Sequence, residues 1–205
     1  MPGIEVTITN IFQFGAFISP FLLGFFLIMS SIFNRDLKGF IYLAGVLISS
    51  IVNILLKNII RSPMAADAEP ICSLVKFDLL SDQNFNSPNV SSSFLAFTMA
   101  YLLLPMFYNN QMNYVVLIFL ISLFVLDTMT KLANKCTDLI GISIGALVGF
   151  IMGAIWFSMF LGGGQSELLY FNVPITNNTV CSRPSKQTFR CAVYKGGQLI
   201  SDNIV

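Results

Sequence analysis

Five apolar runs, at 11–33, 40–60, 92–108, 114–129 and 137–161, constrain this chain more than anything else in it. A helix needs about 20 apolar residues to cross the hydrocarbon core of a bilayer, and each run approaches or exceeds that length. The chain has 205 residues, 55% hydrophobic and 10% charged, and a mean hydropathy of +0.77, outside the ordinary soluble range. The expectation is an all-α polytopic membrane bundle of about five transmembrane helices, in contact with a lipid bilayer. Residues 1–10 form a short extramembrane segment without a basic residue, and the run after them is longer than a signal-peptide core, so it reads as a retained first span.

The connections divide the chain further. Asn10 is a candidate cap for span one and Pro20 a candidate kink, and residues 34–38 make a tight polar turn. Span two carries Asn53 inside and Lys57 near its end, where a lysine can snorkel to the surface. Residues 61–91 form a long loop with Pro63, Pro70 and Pro88, in which 71–80 could lie on the membrane surface as an amphipathic helix. Span three opens on Ser91, Ser92 and Ser93 and contains Pro105, and the short 109–113 loop makes spans three and four an antiparallel hairpin.

Asn134-Lys-Cys-Thr-Asp138 then runs into span five, where Gly141, Gly145, Gly149 and Gly153 recur at every fourth position and share one face. A helical glycine costs roughly 1 kcal/mol against alanine, so four on one face imply a compensating close approach to a neighbouring helix. Residues 11–161 are therefore the expected bundle. After a Gly162–Gly164 hinge, residues 162–205 are expected to form a small extramembrane β module: 167–173, 179–181, 188–194 and 198–200 are strand-like, and the last two are joined by Gly196-Gly197 as a hairpin.

An odd number of spans puts the 61–91 and 130–137 loops on one side with the amino terminus, and the tail on the other. Lys57, Arg61, Lys76, Lys131 and Lys135 fall on the first side; Arg35, Lys38, Arg183, Lys186, Arg190 and Lys195 fall on the second. The positive-inside rule is nearly tied. Cys181 and Cys191, with nine residues between them across a predicted strand pair, are the expected disulfide, with free thiols as the alternative. Zinc fits poorly, since two thiols without histidine or CxxC do not make a tetrahedral set, and no metal or cofactor is expected. Asn89-Val-Ser91 and Asn177-Asn-Thr179 match the glycosylation pattern on opposite sides, so at most one should be used.

Net charge +1 and the lack of any basic run leave nucleic acid without an electrostatic footprint. The chain contains no histidine, which removes the commonest general base, metal ligand and phosphoryl-accepting nucleophile together.

Lys57 and Arg61-Ser-Pro63 after span two, Val90-Ser-Ser-Ser93 opening span three, and Asn134-x-x-x-Asp138 opening span five follow one another in an order that resembles the type-2 phosphatidic acid phosphatase superfamily across residues 40–161. That family carries Lys with Arg-Pro, then Pro-Ser-Gly-His, then Ser-Arg followed by His-x-x-x-Asp. Here the Arg-Pro element is shortened and three residues too close, Ser93 and Asn134 replace the two histidines, and Thr128 falls where arginine is expected, with Lys131 one turn on. The resemblance thus implies a degenerate phosphatase-like site of Lys57, Arg61, Ser93, Asn134 and Asp138. Asparagine cannot carry phosphate as imidazole does, so no phosphohydrolase activity is expected, although Lys57, Arg61 and Lys131 could still hold a lipid headgroup. The plainer reading is that Asp138 and Ser91–Ser93 serve helix N-termini.

The expected function is a non-catalytic membrane scaffold that presents its C-terminal β module to a protein partner by strand addition. The Cys181-Ser-Arg-Pro and Phe-Arg-Cys191 tail resembles tails of membrane proteins of large DNA viruses, which implies a virion internal membrane and capsid-protein partners. Residual lipid-phosphatase action is the alternative. A passive transporter or channel is the third reading: spans two to five hold no ionisable group at their centres, and Gln13 and Asn53 are the only amides well inside.

Overall fold

The computed structural model describes residues 7–63, 68–69, 72, 85–170, 193–195 and 198–201. It is mainly helical: α1 (Ile8–Asn34), α2 (Lys38–Ile60), α3 (Val90–Tyr108), α4 (Tyr114–Ala133) and α5 (Leu139–Gly162). Each of the five is long and apolar enough to cross a membrane. α4 runs four residues past the apolar run that predicts it, because Thr130 and Lys131 continue the helix until Asn134 closes it as C-cap. The cap of α1 is Thr7, whose side chain accepts from the Asn10 amide, so Asn10 donates rather than caps. Pro20 and Pro105 both lie inside continuous helices.

The glycine stripe sets the bundle's tightest interface. α3 and α5 run parallel, and a methyl group added at Gly145 or Gly149 would collide with the Asn89 or Ser93 carbonyl of α3; at Gly153 it would lie 2.7 Å from the Phe97 carbonyl. The glycines thus seat α5 against the α3 backbone at positions one turn apart, the close approach that four helical glycines imply.

α2 packs on the other flank of α3. The Tyr42 and Thr98 hydroxyls meet at 2.7 Å, and Tyr42, Phe97 and Tyr101 cluster around them. Trp156 of α5 donates to the Ile41 carbonyl of α2. The tight α1–α2 turn is held by the Ser31 hydroxyl, which donates to the Asp36 carbonyl and accepts from the Gly39 amide.

Two short antiparallel ribbons complete the elements: β1 (Ser62–Pro63) with β2 (Phe85–Ser87), and β3 (Val193–Lys195) with β4 (Gln198–Ser201). The second is the hairpin expected around Gly196-Gly197. Strand character at 167–173 is not found where the chain is described: Ser166–Leu168 form a 3-10 turn, Leu169 is fully buried, and the Tyr170 hydroxyl donates to the Leu27 carbonyl at 2.6 Å. Leu169 and Tyr170 act as a plug on the α1–α2 end, so the first compact unit extends to Val173 and the second comprises Pro174–Val205. The expected surface helix at 71–80, the strand at 179–181 and the Cys181–Cys191 pairing lie outside the described residues, apart from Cys72, which sits in a 3-10 turn.

Candidate functional site

One end of the bundle gathers the start of α1, the end of α2, the starts of α3 and α5 and the end of α4. It is called the mouth here. The α3 helix is capped by Asn89, whose side-chain oxygen accepts from the Ser92 amide at 3.0 Å. The same oxygen lies 3.3 Å from Lys131 Nζ of α4.

One turn before Lys131 on the same face of α4 stands Asp127, and the two form an ion pair of 3.1 Å. The other Asp127 oxygen accepts from the Ser91 hydroxyl at 2.6 Å. Asp127 is 1% exposed, and the Phe17 ring of α1 lies 6.0 Å from the ammonium. A carboxylate and an ammonium this deep are tolerated only when each is partnered, and here both are.

Lys57 of α2 is also buried at this end. Along α2, one and two turns deeper than Lys57, lie Asn53 and Ser49, both buried. With Ser50 and Ser93 they line a crevice between α2 and α3 that is too narrow for a water molecule. Neither amide atom of Asn53 has a hydrogen-bond partner among the described residues. Ser93 therefore faces the α2 seam, while its carbonyl faces Gly149.

The other residues of the phosphatase-like pattern go elsewhere. Arg61 is exposed, adopts a left-handed backbone (φ 48°) as the C-cap of α2, and donates from Nε to the Asn58 carbonyl of its own last turn. Asn134 and Asp138 belong to different helices: Asn134 ends α4, donating to the Thr130 carbonyl at 2.7 Å with Gln13 of α1 3.4 Å away, whereas Asp138 precedes α5. Asp138 is exposed, makes no capping bond, and accepts from Asn86 at 3.1 Å. The five positions thus share an end of the fold without converging on one point.

The turn between α4 and α5 is fastened by a Cys72–Cys136 disulfide, with Cα atoms 5.3 Å apart, and by the Glu69 amide on the Asn134 carbonyl. No three His, Cys, Asp or Glu side chains gather into a metal-sized group among the described residues.

Asp127 and the disulfide are what sequence reasoning passed over. Asp127 falls two residues before the end of its apolar run, where a carboxylate reads as an interfacial residue. The available signal was its i, i+4 spacing from Lys131, which places opposite charges on one helical face. Cys72 and Cys136 lay on the same predicted side, yet 64 residues apart in sequence. No family model, curated protein or solved structure matches the chain.

Proposed function

We propose that the protein is a non-catalytic, multi-pass integral membrane scaffold that presents its C-terminal unit to a protein partner. One observation carries the reading. Where a phosphatase-like site would receive phosphate, beside the lysines and the first turn of the third helix, the chain has its own carboxylate. Asp127 already takes the Ser91 hydrogen bond and the Lys131 charge. A second anion entering there would meet like charge in a desolvated pocket. With no histidine in the chain, nothing of the family's kind could accept a phosphoryl group.

The partner half of the reading is supported by the β3–β4 ribbon. A two-stranded ribbon has two outer edges, and among the described residues β3 and β4 pair only with each other. Free edges accept an added strand. The resemblance of the tail to tails of membrane proteins of large DNA viruses makes capsid proteins the first partners to seek.

Retention of a lipid phosphate without turnover is the second reading, favoured by the two buried lysines at this end, Lys57 and Lys131. Both readings meet one experiment. A photoreactive residue in β4 of the full-length protein should capture a protein in the native membrane, and the purified protein in phosphatidic-acid micelles should release no phosphate. Phosphate release that Asp138→Asn abolishes, or a β4 probe that captures nothing, overturns the scaffold reading.

A further inference from the structure

The seam between α2 and α3 holds polar groups that the chain leaves unsatisfied. Ser49 and Asn53 stand one turn apart on the face of α2 that meets α3, Asn53 fully buried and Ser49 3% exposed. The Ser49 hydroxyl and both amide atoms of Asn53 have no hydrogen-bond partner among the described residues. Both side chains line the crevice that Ser50, Ser93 and Phe97 complete, and Val90, the first residue of α3, marks its outer end at the mouth. A polar atom withdrawn from water without a partner loses its hydration and recovers nothing. Hydrocarbon around the bundle offers no replacement.

The fastening of α2 is lopsided. Three interhelical hydrogen bonds hold the end away from the mouth: the Gly39 amide donates to the Ser31 hydroxyl, the Ile41 carbonyl accepts from Trp156, and the Tyr42 hydroxyl meets that of Thr98. Gly45 lies next to them, where an added methyl would come within 2.6–2.8 Å of the Trp156 and Phe97 side chains. Toward the mouth, Ser50 donates to the Val46 carbonyl of its own helix, and Ser49 and Asn53 make no bond to α3. The helix is clamped at one end and only packed along the Ser49–Asn53 stretch.

We propose that the α2–α3 seam is a water-binding inlet: the mouth half of α2 swings about the Tyr42–Trp156 clamp, and water enters from the mouth to bridge Ser49, Asn53 and Ser93. The lining selects water. Asn53 presents a donor and an acceptor and each hydroxyl can do both, so the ligand must accept and donate as well. A cation would meet Lys57, one turn nearer the mouth on the same helix, and an anion would leave the Asn53 carbonyl oxygen unpaired. The crevice, too narrow for water as packed here, has room for nothing larger. A buried water makes about three hydrogen bonds, enough for the three open atoms.

At about 1.5 Å per residue, Asn53 lies about 10 Å and Ser49 about 16 Å from the end of α2 at Ile60, so the inlet reaches the middle of a hydrocarbon core about 30 Å thick. Phe97, seated against Gly45, is its floor. The clamp closes the way beyond, which makes the inlet a binding site rather than a passage. The inference is independent of the scaffold reading and rests on α2 and α3 as membrane spans.

Hydroxyl-radical footprinting of the full-length protein in lipid nanodiscs tests it. A short X-ray pulse splits water, and the radicals oxidise only side chains beside it. Phe97, 1% exposed, should oxidise far faster than Phe157, a buried phenylalanine of α5 away from the seam. Asn53→Leu removes two of the open atoms and holds the seam closed, so it should slow Phe97 oxidation about tenfold, the shift that about 1.4 kcal/mol produces. Ser49→Ala adds no bulk and should slow it less; it serves as the variant if Asn53→Leu does not fold.

A Phe97 as unreactive as Phe157, or one equally reactive in the parent and the folded variants, overturns the inlet. Phe25 and Phe150, exposed on α1 and α5, test the premise in the same spectra. Protected by lipid, they support the spans, and the result at Phe97 then bears on the inlet alone. Oxidised freely, they overturn the membrane reading itself.

Discussion

The Ser91 hydroxyl donates to Asp127 at 2.6 Å, joining the first turn of α3 to a carboxylate buried deep in α4. Through Asp127 the bond reaches Lys131, and through Lys131 it returns to Asn89, the residue that caps α3. The network closes on itself and ties the start of α3 to the last turns of α4.

Breaking this network from one side should cost more than removing its charges together. Asp127→Asn leaves the Lys131 ammonium buried without its counterion, and loss of one partner of a buried pair costs about 3–5 kcal/mol. The double variant Asp127→Leu with Lys131→Leu should recover most of that loss. Thermal unfolding of the detergent-solubilised protein measures both, and a double variant no more stable than the single one would show that the pair contributes by packing rather than by charge.

Gly149→Ala should prevent the native packing of α5 on α3. The added methyl meets the Ser93 carbonyl, a backbone atom that cannot rotate away. Overpacking costs about 1–3 kcal/mol where side chains can yield, and the cost here should reach or exceed the top of that range. Gly15→Ala, at a helical position with nothing within 4 Å, is the matched control and should be neutral or slightly stabilising. The midpoint of unfolding for the two variants decides the matter.

Reducing the Cys72–Cys136 bond should lower stability without disassembling the bundle. In the chain-entropy model a closed loop of this span, with a sequence separation of 64, is worth about 4 kcal/mol. Cys72→Ser and Cys136→Ser should each show that loss, and the two together no more than either alone. Additive losses would mean that the cysteines act separately.

Arg61→Gly distinguishes a helix cap from a phosphate ligand. Arg61 occupies a left-handed backbone position that glycine adopts without strain, and among the described residues its guanidinium bonds to the Asn58 carbonyl in the last turn of its own helix. Relief of the left-handed strain, roughly 1–2 kcal/mol, outweighs the unfolded-chain entropy that glycine adds, so the variant should match or exceed the parent in stability by up to about 1 kcal/mol. It should also leave sedimentation with phosphatidic-acid vesicles unchanged; a loss of vesicle binding would return Arg61 to the anion site.

Asn53→Leu should be tolerated or stabilising. A buried amide with no hydrogen-bond partner among the described residues carries a desolvation penalty of about 1–3 kcal/mol, and leucine keeps the same branched side-chain skeleton without the polar atoms. A marked fall in the unfolding midpoint would mean that Asn53 is satisfied by a group from outside the chain.

Much of the helical layout was legible from hydropathy and from one periodicity. The five apolar runs predict five helices to within a few residues, because apolar length and the absence of charge are local properties. The four glycines predict a close helix contact for the same reason, since spacing alone puts them on one face. The site was legible only as a neighbourhood. Lys57, Ser93, Asn134 and Asp138 do come to the mouth, yet Ser93 faces α2, Asn134 faces α1, and Asp138 faces the Asn86 side chain.

By itself, then, the sequence determined the number and extent of the helices, the glycine face and the absence of any imidazole from the chemistry available to the chain. These follow from composition and short-range period, which need no partner to be read. Only the tertiary structure decided that Asp127 belongs with Ser91 and Lys131, that Arg61 turns outward, that Asn134 and Asp138 part company, and that Cys72 closes on Cys136. Each depends on which faces of distant helices meet, and α5 settles on α3 in one register because its glycines admit the backbone carbonyls of Asn89, Ser93 and Phe97.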